Sequence, residues 1–229
     1  DSESDYYAFC DQDDVWLNSK ISRAIEKLSE LEEDTANMYC SKKTIVDSAL
    51  NEVGKNSGSN KVFPSFGNAL VENIATGCTI VINKATRDLI IKHLPKNIIM
   101  HDWWIYIVTS AFGNVIYDNE SYILYRQHQT NVVGVSTSFI GKWGKRFRRF
   151  KNNNSRELLK AQALEISRIY MKELPLREKN ILKGFINKPC NFLSRVNYVF
   201  ESPVYRQKWL DNLALKILKG LWLAGRSPY

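Results

Sequence analysis

Tyr6-Tyr7-Ala8-Phe9-Cys10-Asp11-Gln12-Asp13-Asp14-Val15-Trp16 is the stretch on which the reading of this chain turns. Five residues with strand or core preference end abruptly in three carboxylates within four positions. An apolar run of that length bounded by polar signals reads as a short buried strand. The acids then fall at or just beyond its C-terminal end, where open α/β sheets place their ligand crevices. Carboxylates this close repel unless a cation sits among them. A hard divalent cation with oxygen ligands, Mg²⁺ or Mn²⁺, resolves that repulsion. The competing reading is a solvated acidic turn that caps the next helix.

Outward from this stretch, Ser19 offers an N-cap, and Ile21, Ala24, Ile25, Leu28 and Leu31 recur at helical spacing. Ala36 to Ser41 reads as a short strand, and Asn51 to Asn60 as an exposed loop of turn-formers. A helical turn over Asn68 to Ile74 leads into Ala75-Thr76-Gly77-Cys78-Thr79-Ile80-Val81-Ile82-Asn83, a small-residue turn feeding a β-branched strand. Gly77 permits close approach of a ligand or of a neighbouring chain. Lys84 to His93 follows as a helix.

Ile98 to Tyr106 contains the second concentration of chemistry, His101-Asp102-Trp103-Trp104. A carboxylate between an imidazole and two indoles is desolvated, which suits a general base. An N-cap role for Asp102, ahead of a buried helix from Ile105 to Phe112 closed by Gly113, fits equally well. Val115–Tyr117 and Tyr122–Tyr125 read as two short strands around the turn Asp118-Asn119-Glu120-Ser121. The second leads into Arg126-Gln127-His128, whose Arg and His alternate to one side and suit phosphate or metal contact, or a surface hydrogen-bonding pair.

Of the 229 residues, 44% are hydrophobic and 24% charged, which is ordinary for a globular protein and excludes wholesale disorder. The four cysteines are widely spaced, so a zinc site or disulfide framework is not expected. Cys10 and Cys78 border apolar runs and read as buried free thiols in a reducing cytosol. Neither a signal-peptide core nor an apolar run long enough to span a bilayer is present. Residues 139–229 hold 20 Lys and Arg against 6 Asp and Glu, whereas the formal charge of the whole chain is +8. The split expected is therefore an acidic site-bearing region, 1–138, and a basic helical region, 139–229. Within the latter, Lys142 to Lys151 interleaves aromatics with cations, and Asn152-Asn153-Asn154-Ser155 marks a linker and N-cap. Helices follow up to Pro175, around Ile181–Ile186 and from about Tyr205 to Ala224. The last has an apolar face that fits packing on its own protein or an interfacial membrane helix.

Taken together, Phe9 to Trp16, Thr76-Gly77-Cys78-Thr79, His101-Asp102-Trp103-Trp104 and Tyr125-Arg126-Gln127-His128 with Asn131 resemble the motifs of bacterial family 2 glycosyltransferases, rhamnosyltransferase-like group. The resemblance covers roughly residues 6 to 135. It implies an α/β fold, the C-terminal portion of a GT-A-type mixed sheet with flanking helices, followed by the basic helical tail. It further implies an inverting, metal-dependent transfer of a sugar from a nucleotide donor to a polysaccharide or lipid-linked acceptor. Asp11 and Asp13 match the D-x-D element that holds Mg²⁺ or Mn²⁺ against the donor diphosphate. Asp102 matches the base that deprotonates the acceptor hydroxyl, with His101 standing where the family often has Glu. Arg126 and His128 match a late motif that closes on the diphosphate. Asp14, Trp16, Gly77, Cys78, His101 and Trp103 would line the substrate pocket. Family members carry a β-α-β nucleotide-binding half before the D-x-D strand, so the base and ribose sites are expected outside this chain. The resemblance implies a cytoplasmic protein, peripheral on the inner membrane face through its basic tail.

Two other readings remain open. Asp11-Gln12-Asp13-Asp14-Val15 also fits the first motif of haloacid-dehalogenase-like phosphohydrolases, with Asp11 as nucleophile and Asp13 as acid/base. That reading needs a downstream acidic pair at a strand end. The basic region could alternatively bind membrane or nucleic acid without catalysis, although no nucleic-acid motif is present.

Overall fold

The computed structural model describes residues 3–53, 61–126, 153–187 and 201–222, which fall into two compact units. The first unit comprises 1–65, 73–94 and 100–135, and holds the whole sheet. Its strands are β1 (Tyr6–Ala8), β2 (Val15–Trp16), β3 (Ala36–Val46), β4 (Val81–Asn83) and β5 (Gly113–Arg126), in the spatial order β1-β4-β3-β5-β2. β3 and β5 run parallel, and every other pair is antiparallel. The expected mixed α/β sheet with flanking helices is therefore present.

Helices α1 (Lys20–Leu28), α3 (Lys84–Lys92) and α4 (His101–Phe112) pack on this sheet. On one face Ala24 and Leu28 of α1 meet Tyr39 and Val81, with Tyr6, Ile21 and Ile116 around them. Met38 and Ile82, the next pair in register, are also buried and by alternation point to the opposite face. A sheet covered on both sides explains why its central strands read as continuous apolar runs. Residues Asn68–Ile74 were expected to form a helical turn, and α2 occupies Phe66–Ala69. The turn before β4 is a 3₁₀ segment over Gly77–Thr79.

Several expectations change. β1 is a half-buried edge strand rather than a buried one, because only β4 pairs with it. β3 continues to Val46. Val115–Tyr117 and Tyr122–Tyr125 are not two strands around a turn but parts of one, β5. Their apparent turn is a bulge: Ser41 pairs with Asp118 and Lys42 with Ser121, so β5 carries the extra residues. Asp118 anchors the irregularity, accepting hydrogen bonds from Glu120 N–H at 3.0 Å, Arg23 Nε at 3.0 Å and Tyr39 hydroxyl at 3.1 Å. α4 begins at His101 rather than Ile105, and Gly113 follows it as expected. A methyl at Gly113 would lie 1.9 Å from the Ala36 carbonyl oxygen, so only glycine fits where β5 enters beside β3. On α1, Ile25 is exposed, and the inward face is Lys20, Ala24 and Leu28. Cys10 is exposed, whereas Cys40 and Cys78 are buried.

The second unit comprises 66–72, 95–99 and 136–229. Its helices α5 (Asn153–Tyr170) and α6 (Leu176–Ile186) pack together through buried Ala163, Ile166, Tyr170, Leu182 and Phe185. α5 starts at Asn153, inside the stretch expected to be linker. Its buried Gln162 and Glu165 accept from the backbone N–H groups of Ile99, at 3.0 Å, and Lys96, at 2.6 Å. α7 spans Trp209–Trp222. No helix among the described residues is long and apolar enough to cross a membrane. The aromatic–basic segment Lys142 to Lys151, together with Gln127, His128 and Asn131, lies outside the described residues.

Candidate functional site

The acids follow β1 in a tight reversal with Gln12 and Asp13 at its centre, before β2 pairs with β5. Such a turn brings its first and fourth residues together. Carboxylate oxygens of Asp11 and Asp14 and the Cys78 sulfur consequently lie within 4.8 Å of one another. The Asp13 carboxylate is not one of the three. Asp13 instead contributes its backbone carbonyl, which accepts from Arg126 Nε at 2.9 Å.

Arg126 braces this loop. Its backbone N–H donates to Asp14 Oδ1 at 3.0 Å, and its guanidinium also donates to the Ser48 carbonyl. The Ser48 turn is itself held by Asp47, which accepts from the N–H groups of Ala49 and Asn51 at 2.9 Å each. Arg126 thus ties the end of β5 to the acid loop and to the turn after β3.

The second group is centred on Asp102, in the first turn of α4, where a carboxylate is favoured by the helix dipole. Met100, not Asp102, is the N-cap residue. Asp102 is 4% exposed. Its Oδ2 accepts from the Gly77 N–H at 3.2 Å and its Oδ1 from the Trp103 N–H at 2.7 Å. Gly77 packs so closely that a methyl there would sit 3.1 Å from His101 Nε2. The exposed His101 ring also lies against Phe9, at 5.9 Å between centroids. Because Gly77 binds Asp102 and Cys78 faces Asp11 and Asp14, two consecutive residues join the two acidic groups. Among the described residues, Asp102 has no acidic partner at a strand end of the kind the phosphohydrolase reading needs; it stands on a helix.

Two lysines complete the site, and the sequence reading did not single them out. Lys20 is 2% exposed, and its Nζ lies 3.4 Å from the Trp16 ring centroid with no hydrogen-bond partner. Burial lowers its pKa to about 8, against the opposing influence of Cys78, Cys10 and Asp14. Lys43 rests on Tyr125, with Nζ 3.8 Å from the ring centroid. Burial lowers its pKa too, while Cys78, Asp14, Asp102 and Asp11 act to raise it. Burial likewise pushes the Cys78 thiol up, reinforced by Asp14. Lys43 lies just beyond the strand expected over Ala36 to Ser41 and gave no sequence signal. Lys20, next to a helix cap, gave none.

The donor set fits a hard divalent cation in part. Asp14 Oδ2 is buried and has no hydrogen-bond partner, and Asp11 offers a second carboxylate beside it. The protonated, soft Cys78 sulfur does not suit Mg²⁺ or Mn²⁺. Two carboxylates are therefore available, with substrate oxygens or water left to fill the remaining positions, as is usual for Mg²⁺.

A separate cleft of about 540 Å³ lies among Asp5, Tyr6, Asn37, Asn83, Lys84 and Asp88. Its buried amides serve the fold: Asn83 Oδ1 accepts from Asn37 N–H, and Asn83 Nδ2 donates to the Glu33 and Thr35 carbonyls.

No protein-family model and no solved structure matches the chain. The chain is similar to the dTDP-rhamnosyl transferase RfbG of Shigella flexneri, with 34% identity over 155 residues. The match covers 61% of this chain and 48% of that protein, so the chain spans about half the length of the curated relative it matches.

Proposed function

We propose that this chain carries the catalytic and acceptor side of a family 2, GT-A-type glycosyltransferase. It would move a sugar, rhamnose by analogy with the relative's name, from a nucleoside-diphosphate donor to a glycan or lipid-linked acceptor in surface polysaccharide synthesis. The observation that carries the reading is the Gly77-Cys78 joint, which holds a general-base carboxylate and a pair of metal-fitting carboxylates on adjacent residues.

In this proposal Asp102 accepts the proton of the acceptor hydroxyl during a single, inverting displacement. The Gly77 N–H fixes the direction of its carboxylate at the first turn of α4. Asp11 and Asp14 hold Mg²⁺ or Mn²⁺, with Asp13 shaping the turn between them. When bound, that ion supplies charge neutralisation for the departing diphosphate. Arg126 keeps the loop in place through Asp13 and Asp14, and the resemblance gives His128 a diphosphate contact. Trp16, His101 and Trp103 offer ring surfaces for substrate. The basic region 139–229 would draw the enzyme to an anionic cytoplasmic membrane face.

The test is transfer from a panel of dTDP-sugars, including dTDP-rhamnose, by the complete gene product with Mn²⁺ or Mg²⁺. Asp102→Asn should cut turnover on the order of 10³-fold while nucleotide binding persists, and Asp14→Asn should also weaken metal binding. Unimpaired transfer by Asp102→Asn, or steady phosphate release from simple phosphoesters, would sink the reading.

A further inference from the structure

We infer that Lys43 is the resident counter-cation of the Asp11–Asp14 pair: its ammonium opposes entry of a divalent ion alone and then pairs with the diphosphate that accompanies the ion. This rests on the metal-site reading above and assigns a role to a residue that reading does not use.

The placement is built into the sheet. Lys43 sits where the β3–β5 register shifts, between Lys42 paired with Ser121 and Thr44 paired with Leu124. Opposite it β5 carries one residue more than β3, which twists the pair locally. The result is an ammonium on the face of Tyr125, next to Arg126, whose own N–H is bonded to Asp14. Lys43 lies within electrostatic reach of Asp11, Asp14 and Asp102, yet makes no ion pair among the described residues. It is therefore parked on an aromatic ring, close enough to compensate the acids and not committed to either. The acids have a further cation in Lys20, fully buried against Trp16.

The electrostatic consequence differs for the two ligands. A positive charge within electrostatic reach of the carboxylates lowers affinity for a divalent cation, by roughly tenfold in a partly screened site. The same charge raises affinity for a diphosphate already bridged by metal. A residue that merely supports the fold would affect both in one direction.

The experiment measures Mn²⁺ binding to the protein from the loss of the free-ion paramagnetic resonance signal, then retention of inorganic pyrophosphate by the Mn²⁺-saturated protein in equilibrium dialysis. Lys43→Met is expected to bind Mn²⁺ alone roughly tenfold more tightly and to retain pyrophosphate roughly tenfold less well. Lys43→Arg should stay near the wild type in both. Lys43→Gln serves as the neutral variant should Lys43→Met fail to fold by circular dichroism. Unchanged Mn²⁺ affinity in the neutral variant, or weakening of both ligands together, overturns the role of Lys43 and leaves the metal site standing. Absence of Mn²⁺ binding in wild type and neutral variant alike overturns the metal reading and this inference with it.

Discussion

Gly77 donates its backbone N–H to Asp102 at 3.2 Å, while the space beside its α-carbon is closed by the His101 imidazole. One residue thus sets both the direction of the candidate base and the position of the ring next to it. Glycine is needed at this point for proximity, not for an unusual backbone angle.

Gly77→Ala should for that reason damage activity more than stability. The new methyl meets the tip of an exposed side chain, which can move by a few tenths of an ångström, so the protein should fold with a loss below about 2 kcal/mol. Transfer should fall on the order of tenfold, because small displacements at a reacting centre are costly. A double-mutant cycle with His101→Ala checks the cause: Gly77→Ala should cost little once the imidazole is gone. Additive losses would place the effect elsewhere.

Lys20 predicts how stability changes with pH. Its pKa in the folded protein is about 8, below the usual 10.5. Below pH 8 both states hold the proton, and the penalty for burying the charge is fully present. Between 8 and 10.5 the folded state has released a proton that the unfolded chain retains, so stability rises with pH across that window. The urea midpoint of the wild type should therefore gain on that of Lys20→Met from pH 7.5 to 9.5. Lys20→Met should start higher at pH 7.5 and lose that lead as pH rises; its own slope sums Lys43, which is shifted in the same direction as Lys20, and the Cys40 and Cys78 thiols, which are shifted the other way and oppose it. A difference between the two midpoints that stays constant over this range would contradict the assignment.

The cysteines give a chemical test of the burial pattern. In a Cys190→Ser background, a thiol reagent at pH 7.5 should titrate one group rapidly, Cys10, and three after denaturation. Burial pushes both Cys40 and Cys78 to higher pKa, which leaves almost no reactive thiolate. Rapid reaction of a second group would mean that Cys78 is open to solvent.

Much of this architecture was readable from local signals. The apolar run before Asp11, the 3.6-residue periodicity of α1 and α3, and the β-branched entry to β4 each report short-range physics. The failures share a different cause. Asp118-Asn119-Glu120-Ser121 has the chemistry of a hairpin turn, but pairing with β3 overrode it and absorbed the surplus residues as a bulge. The pairing of Asp11 with Asp13 rested on the resemblance and not on a local signal. The turn at Gln12-Asp13 instead brought Asp14 to Asp11. Lys20 and Lys43 look like solvated charges in any window, because only tertiary packing buries them. Cys10 seemed buried by its neighbours, yet it lies where the edge strand has ended and is exposed among the described residues.

The parallel pairing of β3 with β5 also governs when this protein can assemble. Asn37 and Asn114, hydrogen-bonded across that pair, are 77 positions apart, and Asp14 waits for Arg126 across 112. At ribosomal speeds of about 5–20 residues per second, β3 emerges several seconds before its central partner exists. During that interval its apolar strand is an open edge, the kind of surface that chaperones shield. The acid loop acquires its brace only at the close of β5, so the candidate site is among the last parts of the sheet to be completed.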